Sequence, residues 1–440
     1  MSGALHFTLV ILVYLPGLVA LVAWRKCWRF PILFATFLGM LLFNALGSIG
    51  VFSEVKIYTL AFDTSEVSET LSLVLVFQAL AFYAIAGAYI ALRKPLDTQF
   101  RHTRIDFLLC AISAGLIVII AALYYAETGT FLILASLDGS MNVDNALSFR
   151  MKYAYGLEHW PFFNIGFVFL PVLLSSYGLI VVKGDRSYWW FFLATAVISM
   201  GASLSMGSKA GVVGFVLSLG IAYLTYSGMT GQNILSVLRS RNFFLFFLVS
   251  LGILVFGYNH ATPEGLSVTV LLERVWYRAF VAYPEALAAA ISYVEHYGEL
   301  GQLAMPTIRG LLSHEQVVIS SAIHLYQSGF SGGASVPMAG EAFLFAGWPG
   351  VVLILPLIFI LLILLQELAF CMTEGVTSIA FSALYAYLAL GLSLNGVFSS
   401  LINFMYPSTL AFIGLAATAI LWGTKMVSSL MLSPKVSLHE

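Results

Sequence analysis

The amino-acid sequence predicts an all-α polytopic membrane protein, and two features of its composition support that fold class. Hydrophobic residues make up 60% of the 440 residues and charged residues only 9%, whereas soluble globular domains have about 25% charged residues. The hydrophobic residues also lie in long runs, and a membrane-spanning helix needs roughly 20 of them in succession. With its loops, a chain of this length has room for about 11 such helices.

The predicted spans follow one another along most of the chain. The first lacks the basic start and the small-residue cleavage site of a secretory signal, so we interpret it as a retained helix. Most of the others are joined by short loops. The predicted spans lie near residues 5–24, 31–52, 70–92, 106–125, 161–182, 189–206, 210–227, 242–258, 347–367, 377–394 and 404–424.

Two intervals are too long to be turns. Residues 127–160 and 258–346 separate predicted spans, and loops of more than about 15 residues are usually functional or disordered. The second interval also holds a dense share of the ionisable residues. We therefore expect three regions: helices 1 to 8 with the loop 127–160 (residues 1–257), a large late loop that itself contains helices (258–346), and helices 9 to 11 with a tail (347–440).

The lysines and arginines predict the orientation of the chain, because they are retained in cytoplasmic loops. An eleven-span topology puts thirteen of the 20 basic residues on one side and seven on the other. The side with thirteen is predicted to be cytoplasmic, so the N-terminus and the large loop are predicted to lie outside. The outer seven are Lys56, Arg150, Lys152, Lys209, Arg274, Arg278 and Arg309.

Arg274 and Arg278 are the outer cations with the most suggestive spacing. They lie four residues apart in LLERVWYRAF, which on a helix puts both on one face with Cβ atoms about 5 to 6 Å apart. Such a pair suits a diphosphate. The alternative is that either arginine pairs with Glu273 or Glu285, or reaches out to the headgroups as interfacial arginines often do.

Three further outer cations are candidates for binding phosphate. Lys209 lies in the turn GSKAG between two apolar runs, where an ionisable residue is costly and usually functional or paired. Arg150 precedes Tyr153 and Tyr155, and Arg309 follows a proline in MPTIRGLL. For each of them, a cation that only anchors the protein at the membrane interface is the alternative.

His324 and Glu341 are the candidate acid–base residues. A histidine titrates near neutral pH, and His324 lies in the outer segment ISSAIHLYQSGF. Glu341 lies among apolar and aromatic residues in MAGEAFLFAG, where desolvation raises a carboxyl pKa. The alternatives are a surface histidine and a carboxylate that stabilises a helix N-terminus.

The sequence offers no metal or redox motif. Cys27, Cys110 and Cys371 lie far apart, without disulfide-framework or zinc spacing. No outer segment has the aspartate spacing of a metal loop, so we expect metal-independent chemistry without a cofactor. The net charge of −1 argues against a nucleic-acid partner.

Three motifs resemble those of the Wzy-type polymerases of O-antigen and other oligosaccharide repeat units, which are distantly similar to O-antigen ligases. The first is the outer turn GSKAG. The second is the Arg278 segment followed by AYPEALAAAISYVEHYGE. The third is SGGASVPMAGEAFLFAGWPGVV, in which a glutamate and aromatic residues precede a Gly-x-x-Gly helix start. The order of spans, with one large late outer loop, extends the resemblance over the whole chain.

The resemblance implies a metal-independent membrane glycosyltransferase with a GT-C-like architecture in a bacterial inner (plasma) membrane, with its active site facing the periplasm. Its substrate would be an oligosaccharide linked to undecaprenyl diphosphate, for polysaccharides such as those of lipopolysaccharide. By position, Arg278 and Lys209 match the family's phosphate-binding cations, although a lysine stands where the family often has arginine. His324 corresponds to a proposed loop base of the ligases. A chain-length regulator is a further partner that the resemblance leaves open.

Two other classes of membrane protein remain as alternatives. One is a flippase or transporter of lipid-linked glycans. Such proteins tend to show repeated halves and charges between broken helices, and the sequence shows neither. The other is an O-antigen ligase-like transferase, which would share the outer cationic cluster.

Overall fold

The computed structural model describes most of the chain up to residue 395. The described residues are 3–53, 64–94, 104–131, 165–205, 209–232, 281–299, 335–371 and 375–395, together with isolated positions between 239 and 277 and at 323, 326 and 327. Within these ranges every regular element is helical.

Ten helices form the described structure. Three of them contain a π-helical stretch. Helix α2 comprises Pro31–Gly39, a π-helical stretch at Met40–Leu46, and Ile49–Phe52. Helix α3 comprises Thr64–Phe82, a π-helical stretch at Tyr83–Gly87, and Ala88–Leu92. Helix α5 begins with a π-helical stretch at Ile165–Phe169 and continues as Leu170–Gly184. The others are α1 (Gly3–Ala23), α4 (Arg104–Thr128), α6 (Trp189–Ser205), α7 (Lys209–Met229), α8 (Ala282–Tyr297), α9 (Met338–Cys371) and α10 (Val376–Asn395).

The predicted all-α, multi-pass class is confirmed for this part of the chain. Eight of its helices are long and apolar enough to cross a membrane: α1 to α6, α9 and α10. Helix α7 adds a shorter apolar stretch, Gly214–Met229. Of the predicted spans 242–258 and 404–424, the structure describes isolated residues of the first and none of the second, so the count of eleven stays a prediction.

Helices α2, α5 and α10 form the centre of the bundle. Helix α10 packs against α2, α5, α7 and α9, and α5 also packs against α4, α6 and α7. Small residues permit this close approach. A Cβ on Gly178 of α5 would lie 1.9 Å from Thr195 Oγ1 of α6, and one on Gly39 of α2 would lie 2.9 Å from Ser393 Cβ of α10. Membrane helices associate through such small-residue contacts.

The peripheral helices turn apolar side chains away from the bundle. Leu12 on α1, Leu108 and Val118 on α4, and Leu353 on α9 are all more than half exposed. In water such a surface would be costly, at roughly 25 cal/mol per Å². In a bilayer, the lipid tails cover it.

One end of the bundle carries basic residues from several helices, and we call it the basic end. Arg93, after α3, forms an ion pair with Glu367 near the end of α9, with Nε to Oε1 at 2.7 Å. Lys26 Nζ donates to the carbonyl of Ala91 at 2.8 Å. Lys183, near the end of α5, lies over the ring of Tyr223 on α7, 4.0 Å from its centroid. The ends of α1, α3, α5, α7 and α9 therefore meet here.

The opposite end carries glutamates, and we call it the glutamate end. At this end α1 begins beside the end of α2, because a Cβ on Gly3 would lie 2.0 Å from the carbonyl oxygen of Phe52. His6 Nδ1 is 3.0 Å from Ser72 Oγ at the start of α3. Thr70 Oγ1 donates to Glu295 Oε1 of α8 at 3.1 Å. The described membrane-spanning helices thus begin at alternate ends of the bundle, as the predicted topology requires.

Candidate functional site at the glutamate end

Helix α8 supplies the first buried carboxyl of the site. Alanine favours the helix, and Pro284 lies in its first turn, where an amide N–H has no helical partner to lose. The helix ends at Gly298, which has a positive φ of 83°. Its side chains from Pro284 to Ser292 are all buried. Glu285 is therefore the single carboxyl within a run of buried residues.

Glu285 is held by residues from two other segments. Its Oε2 accepts a hydrogen bond from the hydroxyl of Tyr277, which precedes α8, and another from Gln327 Nε2 at 3.5 Å. The side chain is 1% exposed, and its Oε1 has no hydrogen-bond partner among the described residues. One oxygen is thus satisfied by the protein and the other is left open.

Burial raises the pKa of Glu285 to about 7, and the hydrogen bond from Tyr277 opposes part of that rise. The cause is the cost of holding a negative charge away from water, which favours the neutral acid. Helix α8 is not among the membrane-spanning helices. Near neutral pH this carboxyl can therefore both take up and release a proton.

Glu341 is the second buried carboxyl, and it is 1% exposed. It lies in the first turn of α9, where its amide N–H donates to the carbonyl of Pro337 at 3.0 Å. Its neighbour Gly340 packs against Leu287 of α8, since a Cβ there would lie 3.2 Å from Leu287 Cδ1. The two acidic residues are therefore carried by helices in contact with each other.

Helix α9 is broken just after Glu341. Ala346 and Gly347 leave the helical conformation, with φ values of −153° and 56°, so a short helix precedes the long membrane-spanning one. The two parts pack tightly, because a Cβ on Gly350 would lie 1.9 Å from the carbonyl oxygen of Ala342. The predicted span at 347–367 thus begins at the break, and the glutamate motif forms a separate helical turn before it.

A group of hydroxyl and aromatic side chains lies further along α8. Ser292 Oγ and Tyr326 Oη are 2.9 Å apart, and His296 Nδ1 is 2.8 Å from the carbonyl of Ser292. The ring of Tyr326 meets those of Tyr293 and Tyr297 edge to face, with centroids 5.5 and 5.8 Å apart. Tyr326 is therefore packed against the last turns of α8.

Comparison with protein-family models, with curated proteins and with solved structures finds no match. The chemistry of the site is therefore inferred from its own residues.

The structure describes only some of the predicted site residues. Glu341 is buried at the glutamate end, and Lys209 is the first residue of α7, although its side chain lies outside the described residues. The other predicted residues also lie outside them: His324, Arg278, Arg274, Arg150 and Arg309. Within the described ranges, no three His, Cys, Asp or Glu side chains come together in a way that could hold a metal ion.

The sequence does not identify Glu285 as a site residue. It indicates this glutamate only as an ion-pair partner for an arginine. One signal could have indicated it. In YPEALAAAIS six apolar residues follow the glutamate before Ser292, which is unusual for a carboxylate on an exposed helix.

Proposed function

We propose that the protein is a membrane glycosyltransferase that polymerises lipid-linked oligosaccharide repeat units. It transfers a growing glycan from undecaprenyl diphosphate to a sugar hydroxyl of a second lipid-linked unit, on the periplasmic side of a bacterial inner membrane. The observation that carries this proposal is the buried Glu341 in a short helix in contact with α8, at the glutamate end of the bundle.

The reaction needs cations for the leaving group. When the bond between the anomeric carbon and the diphosphate breaks, negative charge develops on the phosphate oxygen, and preorganised cations stabilise that charge. Arg278, Arg274, Lys209, Arg150 and Arg309 are our candidates for this role. Arg278 is the strongest of them, because it matches by position a phosphate-binding cation of the family that the sequence resembles.

The reaction also needs a base for the acceptor hydroxyl. A positioned base contributes typically 10²- to 10⁴-fold to such a step. The sequence motifs offer Glu341 and His324 for this role. Of the two, Glu341 has the buried environment that suits acid–base chemistry.

The proposal is tested by reconstituting the purified protein in liposomes with a lipid-linked repeat unit. We expect a ladder of longer glycans, and Arg278→Ala should abolish it while expression is retained. Lys56→Ala is the matched control, since Lys56 is an outer cation with no proposed role. Unchanged substrate with the wild-type protein would contradict the polymerase function. A ladder formed at the normal rate by Arg278→Ala would contradict the role of Arg278.

One observation favours the transporter alternative. Broken helices are common in transporters, where the break lines a substrate site, and α9 is broken at Ala346 and Gly347. The same liposomes separate the two functions. A flippase would move the lipid-linked unit across the bilayer without lengthening it, whereas an O-antigen ligase-like transferase would require a different acceptor lipid.

A further inference from the structure

Three segments converge on the carboxyl of Glu285. Tyr277 comes from the segment before α8, Glu285 from α8 itself, and Gln327 from the segment before α9. Both polar contacts fall on Oε2. The arrangement fixes the carboxyl in one orientation and leaves Oε1 for another donor.

The open oxygen can accept a hydrogen bond from a ligand group. A buried polar atom without a hydrogen-bond partner costs about 1 to 3 kcal/mol, and more when the group is charged. Buried side-chain acceptors are therefore satisfied in most structures. A hydroxyl group suits the position, because it donates one hydrogen bond and carries no charge into a buried site.

We propose that Glu285, in place of the sequence-based candidates Glu341 and His324, is the catalytic base of the glycosyl transfer and that its Oε1 accepts the proton of the acceptor sugar hydroxyl. This inference rests on the proposed function. Tyr277 and Gln327 act as positioning residues, since they hold the other carboxyl oxygen.

The step balances without any further reagent. The acceptor O–H bond breaks and its proton passes to Glu285 Oε1, while the acceptor oxygen forms a bond to the anomeric carbon of the donor glycan. The bond from that carbon to the diphosphate oxygen breaks, and its electron pair leaves with the diphosphate. The neutral Glu285 then returns the proton to the released diphosphate or to water.

The surroundings of Glu285 suit this role. A base is most effective when its pKa lies near the working pH, and burial brings that of Glu285 to about 7. Burial also keeps water away from the base, which protects the donor from hydrolysis. Among the described residues, the titratable groups on the segments packed around α8 include Glu273, Tyr277, Tyr326, Glu341 and, on α3, Glu66 and Glu69.

The first test is Glu285→Gln in the reconstituted polymerisation assay. Glutamine keeps the shape of the side chain but is not a base, so we expect elongation to fall by about 10²- to 10⁴-fold. Glu295→Gln on the same helix is the matched control, because Glu295 is exposed and bonded to Thr70. It should elongate normally. Glu341→Gln is measured in parallel to separate the two buried acids.

The second test distinguishes a base from a structural carboxyl. The Tyr277 hydroxyl lowers the pKa of Glu285, so Tyr277→Phe should raise that pKa and move the acidic limb of the pH–rate profile to higher pH. The rate on the plateau above the limb should also fall, because Tyr277 helps to hold the carboxyl, so the position of the limb is the deciding readout. A purely structural role would lower the rate at every pH without moving the limb.

The outcomes separate this inference from the proposed function. If the wild-type protein makes no ladder, the proposed function fails first. If the wild type elongates and Glu285→Gln does so at a similar rate, Glu285 is not the base. Should Glu285→Gln fail to fold, the Tyr277→Phe profile decides, and an unmoved limb would overturn the inference. Loss of the limb in Glu341→Gln would assign the base to Glu341.

Discussion

Two glutamates at the glutamate end differ in burial and in hydrogen bonding. Glu285 and Glu295 lie on the same helix. Glu295 is exposed and bonded to Thr70, whereas Glu285 is buried with one open oxygen. Glu295, ten positions after Glu285, is thus a solvated surface charge, whereas the pKa of Glu285 is about 7.

Gly347 is the residue on which the break in α9 depends. Its φ of 56° and ψ of −137° are accessible to glycine and strained for other residues. A Cβ would also lie 2.8 Å from Glu299 Oε1. The break therefore needs glycine for its backbone conformation, whereas the exposed Glu299 side chain can move away from an added Cβ.

We expect Gly347→Ala to destabilise the protein by about 1 to 3 kcal/mol, seen as a lower thermal midpoint in detergent. Gly115→Ala is the control, because Gly115 is helical and a Cβ there meets nothing within 4 Å. It should retain or slightly raise the midpoint, since alanine is the better helix former. Equal midpoints for the two variants would show that the break does not depend on glycine.

Helix α9 ties the elements of the bundle together at the basic end through two adjacent residues. Gln366 Oε1 accepts the amide N–H of Ile32 at 3.0 Å. That amide lies in the first turn of α2, where the helix itself offers no partner. Glu367 accepts from Arg93 Nε and Nη2 at 2.7 and 3.1 Å and from Tyr89 at 2.6 Å.

The two contacts differ in burial, and so should the effects of removing them. Gln366 is fully buried, so Gln366→Leu leaves the Ile32 amide without a partner and should cost about 1 to 3 kcal/mol. Arg93 and Glu367 are 43% and 32% exposed, and such ion pairs contribute about 0 to 1 kcal/mol.

Thermal midpoints in detergent at low and high salt provide the measurement. Gln366→Leu should lower the midpoint at both salt concentrations. Glu367→Gln should have a smaller effect that shrinks as salt is added, because added salt screens exposed charges. A larger loss in Glu367→Gln than in Gln366→Leu would contradict this account of how α9 is held.

At the scale of the whole molecule, the described side chains at the two ends of the bundle differ in charge. The basic end gathers Lys26, Arg93 and Lys183, and the glutamate end gathers Glu285 and Glu341. Basic loops are retained in the cytoplasm. We therefore expect the basic end to face the cytoplasm and the glutamate end to face the periplasm.

Thiol labelling in a cysteine-free variant tests this orientation. Ser53 and Ser187 are both exposed, the first after α2 at the glutamate end and the second before α6 at the basic end. A membrane-impermeant thiol reagent applied to intact spheroplasts should modify Ser53→Cys and leave Ser187→Cys unmodified until the cells are lysed. The reverse pattern would place the candidate site in the cytoplasm and exclude a periplasmic polymerase.

The sequence is sufficient to predict the fold class and the positions of most helices. Long apolar runs predict them because a bilayer requires roughly 20 apolar residues per span and leaves no other way to satisfy the backbone. The glutamate motif likewise predicts that Glu341 is buried, and its burial is confirmed. The arginines and His324 remain predictions, since they lie outside the described residues.

Only the tertiary structure identifies Glu285 and its partners. Glu285 and its partner Gln327 are 42 positions apart in sequence, and no local pattern reports which distant segments will pack together. Desolvation raises the pKa of Glu285 because α8 is covered by neighbouring helices, and that cover is a property of the packed bundle. The composition thus determines that the chain spans a membrane, and the packing of the helices determines which carboxyl has a pKa suited to proton transfer.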